Sequence, residues 1–389
     1  MIYMDAASTA KYSNVDDIII NTIMTAMRDG WQNPSSLYAS NIKEKINKCR
    51  ANIAKFIGAK SEEIIFTSGA SESNNMAIRG WVNEYQLDGY QTINVITTPI
   101  EHKSILNLVG NSNLGATVHY CVVNEYGIVS YWQLENLLSF CYENKEPILV
   151  SICMANNEIG TIQNIKGISD LVHKYNGVLH VDATQALGHI PIDVEYLGID
   201  MMSCSGHKIS PVLRGVGFLY KRNSIDIQPL IYGVQENGLR GGTENTYGII
   251  GLNKALEHCD VYVDSTHPSK DELSSKRDYF IDNLRHKFGC RLNGHSIDRL
   301  PNNINVTFPH NITGESLLYM LDMSNIKISV GSACNSHSFE PSHVLKATGL
   351  SDDEAMRSVR FTLPDDITYE EINKVIQEID KAIKIIEAN

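Results

Sequence analysis

The stretch VLHVDATQALGHIPIDVEYLGIDMMSCSGHK, residues 178–208, contains two apolar runs, and each is followed at once by polar residues. VLHVDA (178–183) and MMSCS (201–205) have the length and apolar character of strands covered on both faces of a sheet. TQ follows the first run and GHK follows the second. Ligand sites of open α/β sheets lie outside the carboxyl ends of the strands. The stretch therefore predicts a sheet with a site at one edge.

Apolar runs of the same kind alternate with helical patterns from about residue 60 to residue 220. The further predicted strands are EIIFTS (63–68), INVITT (93–98), PILVSIC (147–153) and VGFLY (216–220). Two helices are predicted before them, at 15–29 and 41–57. This alternation is typical of βαβ units, so we predict an α/β fold with a large, mainly parallel sheet and helices on both of its faces.

The pattern changes after about residue 257. Helices are predicted at 271–288, 313–323 and 368–389, and strands at 302–308 and 327–331. The last helix opens with Thr368 and Glu371 in capping-box spacing. It then places seven apolar residues on one face: Ile372, Val375, Ile376, Ile379, Ala382, Ile383 and Ile386. We therefore predict a large domain at 15–257 and a smaller α+β domain made of 1–14 and 258–389.

Composition restricts the class of protein. The 389 residues are 43% hydrophobic and 20% charged, as in soluble globular proteins. The formal net charge of −12 disfavours direct binding to nucleic acid, whose phosphates attract lysine and arginine. The N-terminal stretch MIYMDAASTAKYSNVDD lacks the apolar run of a signal peptide or membrane helix. We expect a cytoplasmic protein without a membrane association.

The eight cysteines are scattered, without a CxxC pair, and favour neither a disulfide framework nor a metal site. Cys334 lies in GSACNSHSFEPSHVL (331–345), between small residues and ahead of polar ones. Two interpretations are open from this spacing: a reactive thiol on a loop, or a small buried residue, which is the commoner state of free cysteine.

Three segments at the predicted strand ends suggest a chemistry. The turn SGASESNN (68–75) precedes a helix, so Ser71 and free backbone N–H groups suit a phosphate, although an ordinary helix cap is the simpler interpretation. Lys208 is either a solvated residue at a strand end or a lysine that forms a Schiff base. Asp182 ends an apolar strand, where a carboxylate needs a cation such as the ring nitrogen of pyridoxal phosphate.

A series of motifs carries a family resemblance. In chain order they are FTSGASESNN, IEHKSIL, ANNEIG, HVDATQALG, SGHK, GLRGGTEN, LPNNINVTF, VGSACNS and EPSHVLKATGL. Together they resemble the cysteine desulfurases, fold-type I pyridoxal-phosphate enzymes of the class V aminotransferase group. The resemblance runs from YMDAAST near the start to RSVRFTL (357–363). It implies a pyridoxal 5'-phosphate cofactor and a homodimer with its active sites near the interface.

The resemblance also implies roles for individual residues. Lys208 would hold the cofactor and then move the Cα proton of the substrate, Asp182 would pair with the ring nitrogen, and His102 would stack on the ring and assist proton transfer. The remaining implied contacts are Asn157 and Gln185 to the ring hydroxyl, Ala70, Ser71, Ser205 and His207 around the phosphate, Thr243 to the phosphate of the neighbouring subunit's cofactor, and Arg360 with Asn33 to the substrate carboxylate.

For Cys334 the resemblance implies the nucleophile. Its thiolate would take the sulfur of L-cysteine as a persulfide, release L-alanine and pass the sulfur to an acceptor protein. The long segment before EPSHVL resembles the subgroup whose cysteine loop is extended. Two departures stand out: Ser71 replaces the usual threonine, and ISPVLRGVG (209–217) replaces a shorter glycine-rich turn.

Alternatives of two kinds remain open at this point. A selenocysteine lyase or a transaminase on the same scaffold would not require Cys334 for turnover. A non-catalytic scaffold of a sulfur-transfer complex is the alternative of another class, and the joint presence of the implied catalytic residues argues against it. The sequence leaves open whether the sulfur ends in iron–sulfur clusters, tRNA, a cofactor or DNA.

Overall fold

A computed structural model describes residues 1–259, 268–309, 312–331 and 340–388. The strands in these ranges are β1 (Ile2–Tyr3), β2 (Ile64–Thr67), β3 (Asn94–Thr97), β4 (Thr117–Tyr120), β5 (Ile148–Cys153), β6 (Val178–Asp182), β7 (Met201–Ser205), β8 (Gly217–Lys221), β9 (Arg291–Leu292), β10 (Asn303–Thr307), β11 (Ile326–Lys327) and β12 (Ser358–Thr362). The α-helices are α1 (Asn14–Asp29), α2 (Ser40–Phe56), α3 (Ala70–Leu87), α4 (Lys103–Val109), α5 (Tyr131–Glu143), α6 (Ile165–Lys174), α7 (Val194–Leu197), α8 (Thr246–Glu257), α9 (Pro268–Phe288), α10 (Gly314–Met323), α11 (His343–Ala347), α12 (Asp352–Met356) and α13 (Tyr369–Ala388).

The largest sheet has seven strands in the order β2-β8-β7-β6-β5-β3-β4. The pairs from β7 to β4 are parallel, whereas β8 is antiparallel to both of its neighbours. The sheet is therefore mainly parallel, and the predicted α/β fold class is confirmed. Because β5, β6 and β7 are adjacent and parallel, their carboxyl ends lie at the same edge of the sheet. This is the edge at which the sequence predicted a ligand site.

Alternate residues of the central strands face two separate cores. Val150 and Met202 belong to a core on one face of the sheet, while their neighbours Leu149 and Met201 belong to a core on the other. A strand turns successive side chains to opposite faces, so both faces must be covered by helices to bury such strands completely. This burial explains why β5 and β7 are apolar almost throughout.

A third core belongs to the C-terminal part of the chain. The antiparallel sheet β12-β10-β9 and the short parallel pair β1-β11 form its strands. Its buried side chains include Ile2 and Met4 from the N-terminus and residues from Leu273 to Ala382. The predicted domain boundaries at residues 14 and 257 stay a prediction.

Some elements differ from the sequence-based expectations. The strand predicted at 327–331 is replaced by the shorter β11 and a single bridge between Ser329 and Arg360. β4 was not predicted, because this edge strand is partly solvent-exposed along its whole length and lacks the apolar run of a buried strand. In the described ranges, no helix has both the length and the apolar character needed to cross a membrane.

Candidate active site

A cavity of about 680 Å³ lies beyond the carboxyl ends of β5, β6 and β7. Most of the site residues implied by the sequence line it: Ala70, Ser71, His102, Asn157, Asp182, Gln185, Ser205, His207, Lys208 and Arg360. The parallel sheet thus collects at one edge side chains that are far apart in sequence. Cys334 lies outside the described residues.

The Asp182 carboxylate is buried and held from two sides. One oxygen accepts from the Asn74 amide at 2.8 Å, and the other accepts from the Thr184 backbone N–H at 3.0 Å and from the Thr184 hydroxyl. A buried carboxylate is costly unless it is hydrogen-bonded or paired with a cation. The arrangement therefore presents a fixed negative group to the cavity.

Lys208 extends into the cavity from the turn after β7. Its Nζ donates to the carbonyl oxygens of Ala7 at 2.6 Å and of Ser8 at 2.9 Å. Gln185 also donates to the Ala7 carbonyl, at 3.1 Å. The N-terminal stretch therefore closes the cavity over the lysine, which partly removes the amine from water.

A glycine turn forms the phosphate-binding end of the cavity. Gly69 has φ +148° and precedes helix α3, so the first turn of this long helix has free N–H groups. Gly217 of β8 lies against this turn: a Cβ there would come within 2.6 Å of the Gly69 Cα. Ser71 and Ser205 add hydroxyls beside it. The turn can bind a phosphate through its backbone N–H groups and these hydroxyls.

The surroundings lower the pKa of two of the histidines that line the cavity, His102 and His207. Burial lowers the pKa of His102, whose Nδ1 accepts from the Ser104 backbone N–H at 3.1 Å. Burial, with added repulsion from Lys208 and Arg214, lowers the pKa of His207 to about 4. Arg214 belongs to the altered loop at 209–217 and lines the cavity. The unusual loop therefore places a positive charge at the site.

Arg360 of β12 is buried and lines the same cavity. Its Nη2 donates to Asp5 at 2.7 Å and to the Ser8 hydroxyl at 2.9 Å, and its Nη1 donates to the Asn157 carbonyl oxygen at 3.0 Å. Its Nε is buried and has no hydrogen-bond partner among the described residues. These acceptors hold the guanidinium in orientation at the cavity, where it can pair with a carboxylate.

Asn33 and Thr243 are the two implied site residues in the described ranges that do not line this cavity. Both are exposed, and Thr243 lines a smaller cavity of about 170 Å³ near the phosphate turn. The segments that carry them are in contact, since the Gln235 amide lies 3.4 Å from the Ser35 hydroxyl. Their predicted roles stay predictions.

Sequence reasoning missed the supporting residues of this site. Asn74 orients Asp182, and Asp5 orients Arg360. The carbonyl oxygens of Ala7 and Ser8 accept hydrogen bonds from the amine of Lys208. The signal was present, because Asn74 lies in SGASESNN and the others lie in YMDAAST, two stretches that carry the resemblance. The sequence did not show which residue of one stretch would contact which distant residue of another.

The fold and the cavity are those of one class of protein. The chain belongs to the aminotransferase class-V family, whose model matches residues 2–375. Relatives narrow the class to the cysteine desulfurases: the chain is 39% identical to "Cysteine desulfurase IscS" of Dictyoglomus turgidum over 98% of this chain and 94% of that protein. The resemblance inferred from the motifs is confirmed.

Solved structures agree with this assignment. A "NifS-like protein" superposes with a TM-score of 0.87 at 31% identity and covers 99% of both chains. The structure of "SspA in complex with cysteine" superposes with a TM-score of 0.78 at 33% identity and covers 94% of this chain and 99% of that one.

Family membership makes pyridoxal 5'-phosphate the cofactor. The residues present fit this group on structural grounds. The Gly69 turn and its hydroxyls suit the phosphate, the buried Asp182 suits a protonated ring nitrogen, and Lys208 lies in the same cavity with its amine partly withdrawn from water.

Proposed function

We propose that this chain converts L-cysteine to L-alanine and retains the sulfur as a persulfide on Cys334. The observation that carries the proposal is the meeting of Lys208, Asp182 and Arg360 in one cavity. This set provides an amine to move a proton, a carboxylate to hold a ring nitrogen and a guanidinium to bind an α-carboxylate. An amino acid is the substrate class that uses all three.

The side chains divide the work by position. Arg360 binds the substrate carboxylate, and Asp5 and Ser8 keep its guanidinium in place. Lys208 takes the Cα proton as a base and later returns a proton as an acid. Asp182 keeps a proton on the ring nitrogen. When bound, pyridoxal phosphate withdraws electrons from Cα and so makes loss of its proton easier.

The sulfur step balances without an added oxidant. The Cys334 thiolate attacks the substrate sulfur, an S–S bond forms, and the Cβ–S bond breaks with its electron pair passing to carbon. Protonation of that carbon gives the methyl group of alanine. The thiol hydrogen of the substrate stays on the outer sulfur of the persulfide, so cysteine and one protein thiol give alanine and one protein persulfide.

Both flanks of the Cys334 segment attach to the cavity wall, which supports this role. Before the segment, Ser329 and Arg360 exchange two backbone hydrogen bonds of 3.1 and 2.8 Å. After it, His343 lines the cavity. In the sequence, Cys334 lies five residues after Ser329 and nine residues before His343.

We propose a homodimer as the active assembly. Large apolar side chains are exposed on the two segments that carry the site residues missing from the main cavity: Trp31, Leu37, Tyr38, Ile231, Tyr232 and Val234. Large contiguous apolar patches are rare on monomers, so we infer that a second copy covers these side chains. Cover by a second copy would bring Thr243 towards the partner's cavity, as the family resemblance implies.

The persulfide needs an acceptor, which we propose to be a protein and not a nucleic acid, because the chain carries a net charge of −12. The cysteines in the described ranges are all free thiols, which favours a reducing compartment such as the cytoplasm.

Stoichiometry tests the proposal. Wild-type enzyme mixed with no more than one equivalent of cysteine per subunit should gain one persulfide for each alanine released; excess cysteine is avoided because its thiol would reduce the persulfide. Peptide mass mapping should place the extra sulfur on Cys334 and not on Cys204, because burial raises the pKa of that thiol well above its usual range. Alanine release without a persulfide would contradict the proposal.

A further inference from the structure

The residues just after the Cys334 segment contact residues next to two predicted cofactor ligands. The Ser342 hydroxyl donates to the Glu158 carboxylate, and Glu158 directly follows Asn157. His343 Nε2 lies 3.0 Å from the carbonyl oxygen of Glu101, which directly precedes His102. The downstream flank of the segment is therefore joined to the two stretches that form the cofactor wall.

Apolar packing reinforces these polar contacts. Val344 and Leu345 share a small buried cluster with Ile100 and Ile159. Ile100 precedes the Glu101 stretch and Ile159 follows Glu158, so each polar contact has an apolar contact beside it. Burial of these side chains away from water stabilises the contact. The flank at 342–345 is thus held firmly against the wall.

Glu158 is fixed from the protein side as well. Its backbone N–H donates to the Asn156 side chain at 2.9 Å, and its carbonyl oxygen accepts from the Asn305 amide at 3.1 Å. Its carboxylate is buried, and Oε1 has no hydrogen-bond partner among the described residues. Ser342 therefore provides the one side-chain donor to this carboxylate in the described structure.

We propose that Glu158, acting through Ser342, is a positioning residue for the sulfur-transfer step. It holds the flank at 342–345, which follows Cys334 by eight residues in the sequence, and this anchor limits the reach of the thiolate during sulfur transfer. The inference rests on the proposed function. It predicts that loss of the contact between Ser342 and Glu158 slows persulfide formation. Cofactor binding and removal of the Cα proton should continue.

A pair of Glu158 variants of similar size tests this. Glu158→Met keeps the volume and removes the hydrogen-bond acceptor, whereas Glu158→Gln keeps an acceptor oxygen for Ser342. In holoenzyme mixed with cysteine, Glu158→Met should form the Cys334 persulfide at least 10-fold more slowly than wild type. Its visible cofactor absorbance and its exchange of the substrate Cα hydrogen for solvent deuterium should stay within about 3-fold. Glu158→Gln should retain at least half of the wild-type rate.

Ser342 supplies a second test, which decides the matter should Glu158→Met fail to fold. Ser342→Ala removes the donor and also the cap of helix α11, where the hydroxyl accepts from the Leu345 N–H at 3.2 Å. Ser342→Thr keeps both contacts and should restore the rate. Ser351→Ala removes the comparable cap of the neighbouring helix α12 and controls for the loss of a cap alone.

Two results would overturn the inference. The first is a wild-type rate of persulfide formation in both Glu158→Met and Ser342→Ala. The second is a parallel loss of cofactor absorbance and Cα exchange, which would make Glu158 part of the cofactor cavity only. Failure of the proposed function is distinguishable, because the wild type itself would then form no persulfide on Cys334.

Discussion

The Arg360 guanidinium donates to the Asp5 carboxylate at 2.7 Å, across 355 residues of sequence. Asp5 also accepts from the Ser8 hydroxyl at 2.8 Å. The Ser8 carbonyl oxygen also accepts a hydrogen bond from Lys208 Nζ, at 2.9 Å. The N-terminal stretch therefore positions both the arginine and the lysine of the site. The guanidinium is therefore oriented before the substrate binds, which lowers the entropic cost of forming a bidentate contact with the substrate carboxylate.

Arg360→Ala should therefore weaken cysteine binding by about 1.5–3 kcal/mol, the range for hydrogen bonds to charged groups, or roughly 10- to 150-fold. Titration of the holoenzyme with cysteine, followed by the change in cofactor absorbance, measures this. Arg360→Lys keeps the charge without the planar fork and should recover only part of the affinity. Unchanged saturation in the alanine variant would remove Arg360 from the substrate site.

Lys208→Ala should abolish the covalent link between protein and cofactor. The wild-type protein should be yellow, and borohydride should fix the cofactor to the peptide that carries Lys208. Lys103→Ala is the matched control: Lys103 lines the same cavity, and this variant should keep the covalent link. A reducible link that survives in Lys208→Ala would show that another amine holds the cofactor.

The elements that were predictable from the sequence are those with a local signal. β5, β6 and β7 are buried, mainly apolar strands that were predicted within one residue, and the ends of β6 and β7 marked Asp182 and Lys208. β4 has no such run. The contacts of Asp5 with Arg360 and of Ser342 with Glu158 join residues 355 and 184 positions apart. No periodicity encodes such pairs, because the sheet topology alone brings them together.

The pH dependence of stability should carry a contribution from Glu101. Burial raises the pKa of this carboxyl to about 8, despite the opposing hydrogen bond from Thr98. The folded protein keeps a proton that the unfolded chain loses above its ordinary value of 4.5. The stabilisation is therefore complete below about pH 4.5 and is lost as the pH rises through about 8.

Glu101→Gln, which mimics the protonated carboxyl, should remove this dependence. The melting temperature of the wild type should fall relative to the variant between pH 5 and pH 8, at one protein concentration and with cofactor in excess. Glu125→Gln, at an exposed position, controls for the loss of one acidic side chain. Parallel curves for wild type and Glu101→Gln would contradict a protonated, buried Glu101.

The proposed dimer interface can be tested with one charge. Val234 is 83% exposed on the apolar segment, and a carboxylate at an apolar interface has no partner there. Val234→Glu should weaken dimerisation by roughly 100-fold or more, measured by analytical ultracentrifugation over a dilution series. Ile297→Glu changes an aliphatic residue that is 80% exposed elsewhere and should leave the dimer intact. A dimer equally stable in both variants would place the interface elsewhere.

Cys334→Ser separates a desulfurase from its rivals on the same scaffold. The substitution leaves Lys208, Asp182 and Arg360 in place, so the variant should bind cysteine, change the cofactor absorbance and exchange the Cα hydrogen with solvent. It should release almost no alanine, because a serine hydroxyl is a far weaker nucleophile and forms no persulfide. Cys259→Ser, at a half-buried thiol, is the matched control and should keep wild-type turnover. Undiminished alanine from Cys334→Ser would favour a lyase or a transaminase, and a wild type without turnover would favour the scaffold.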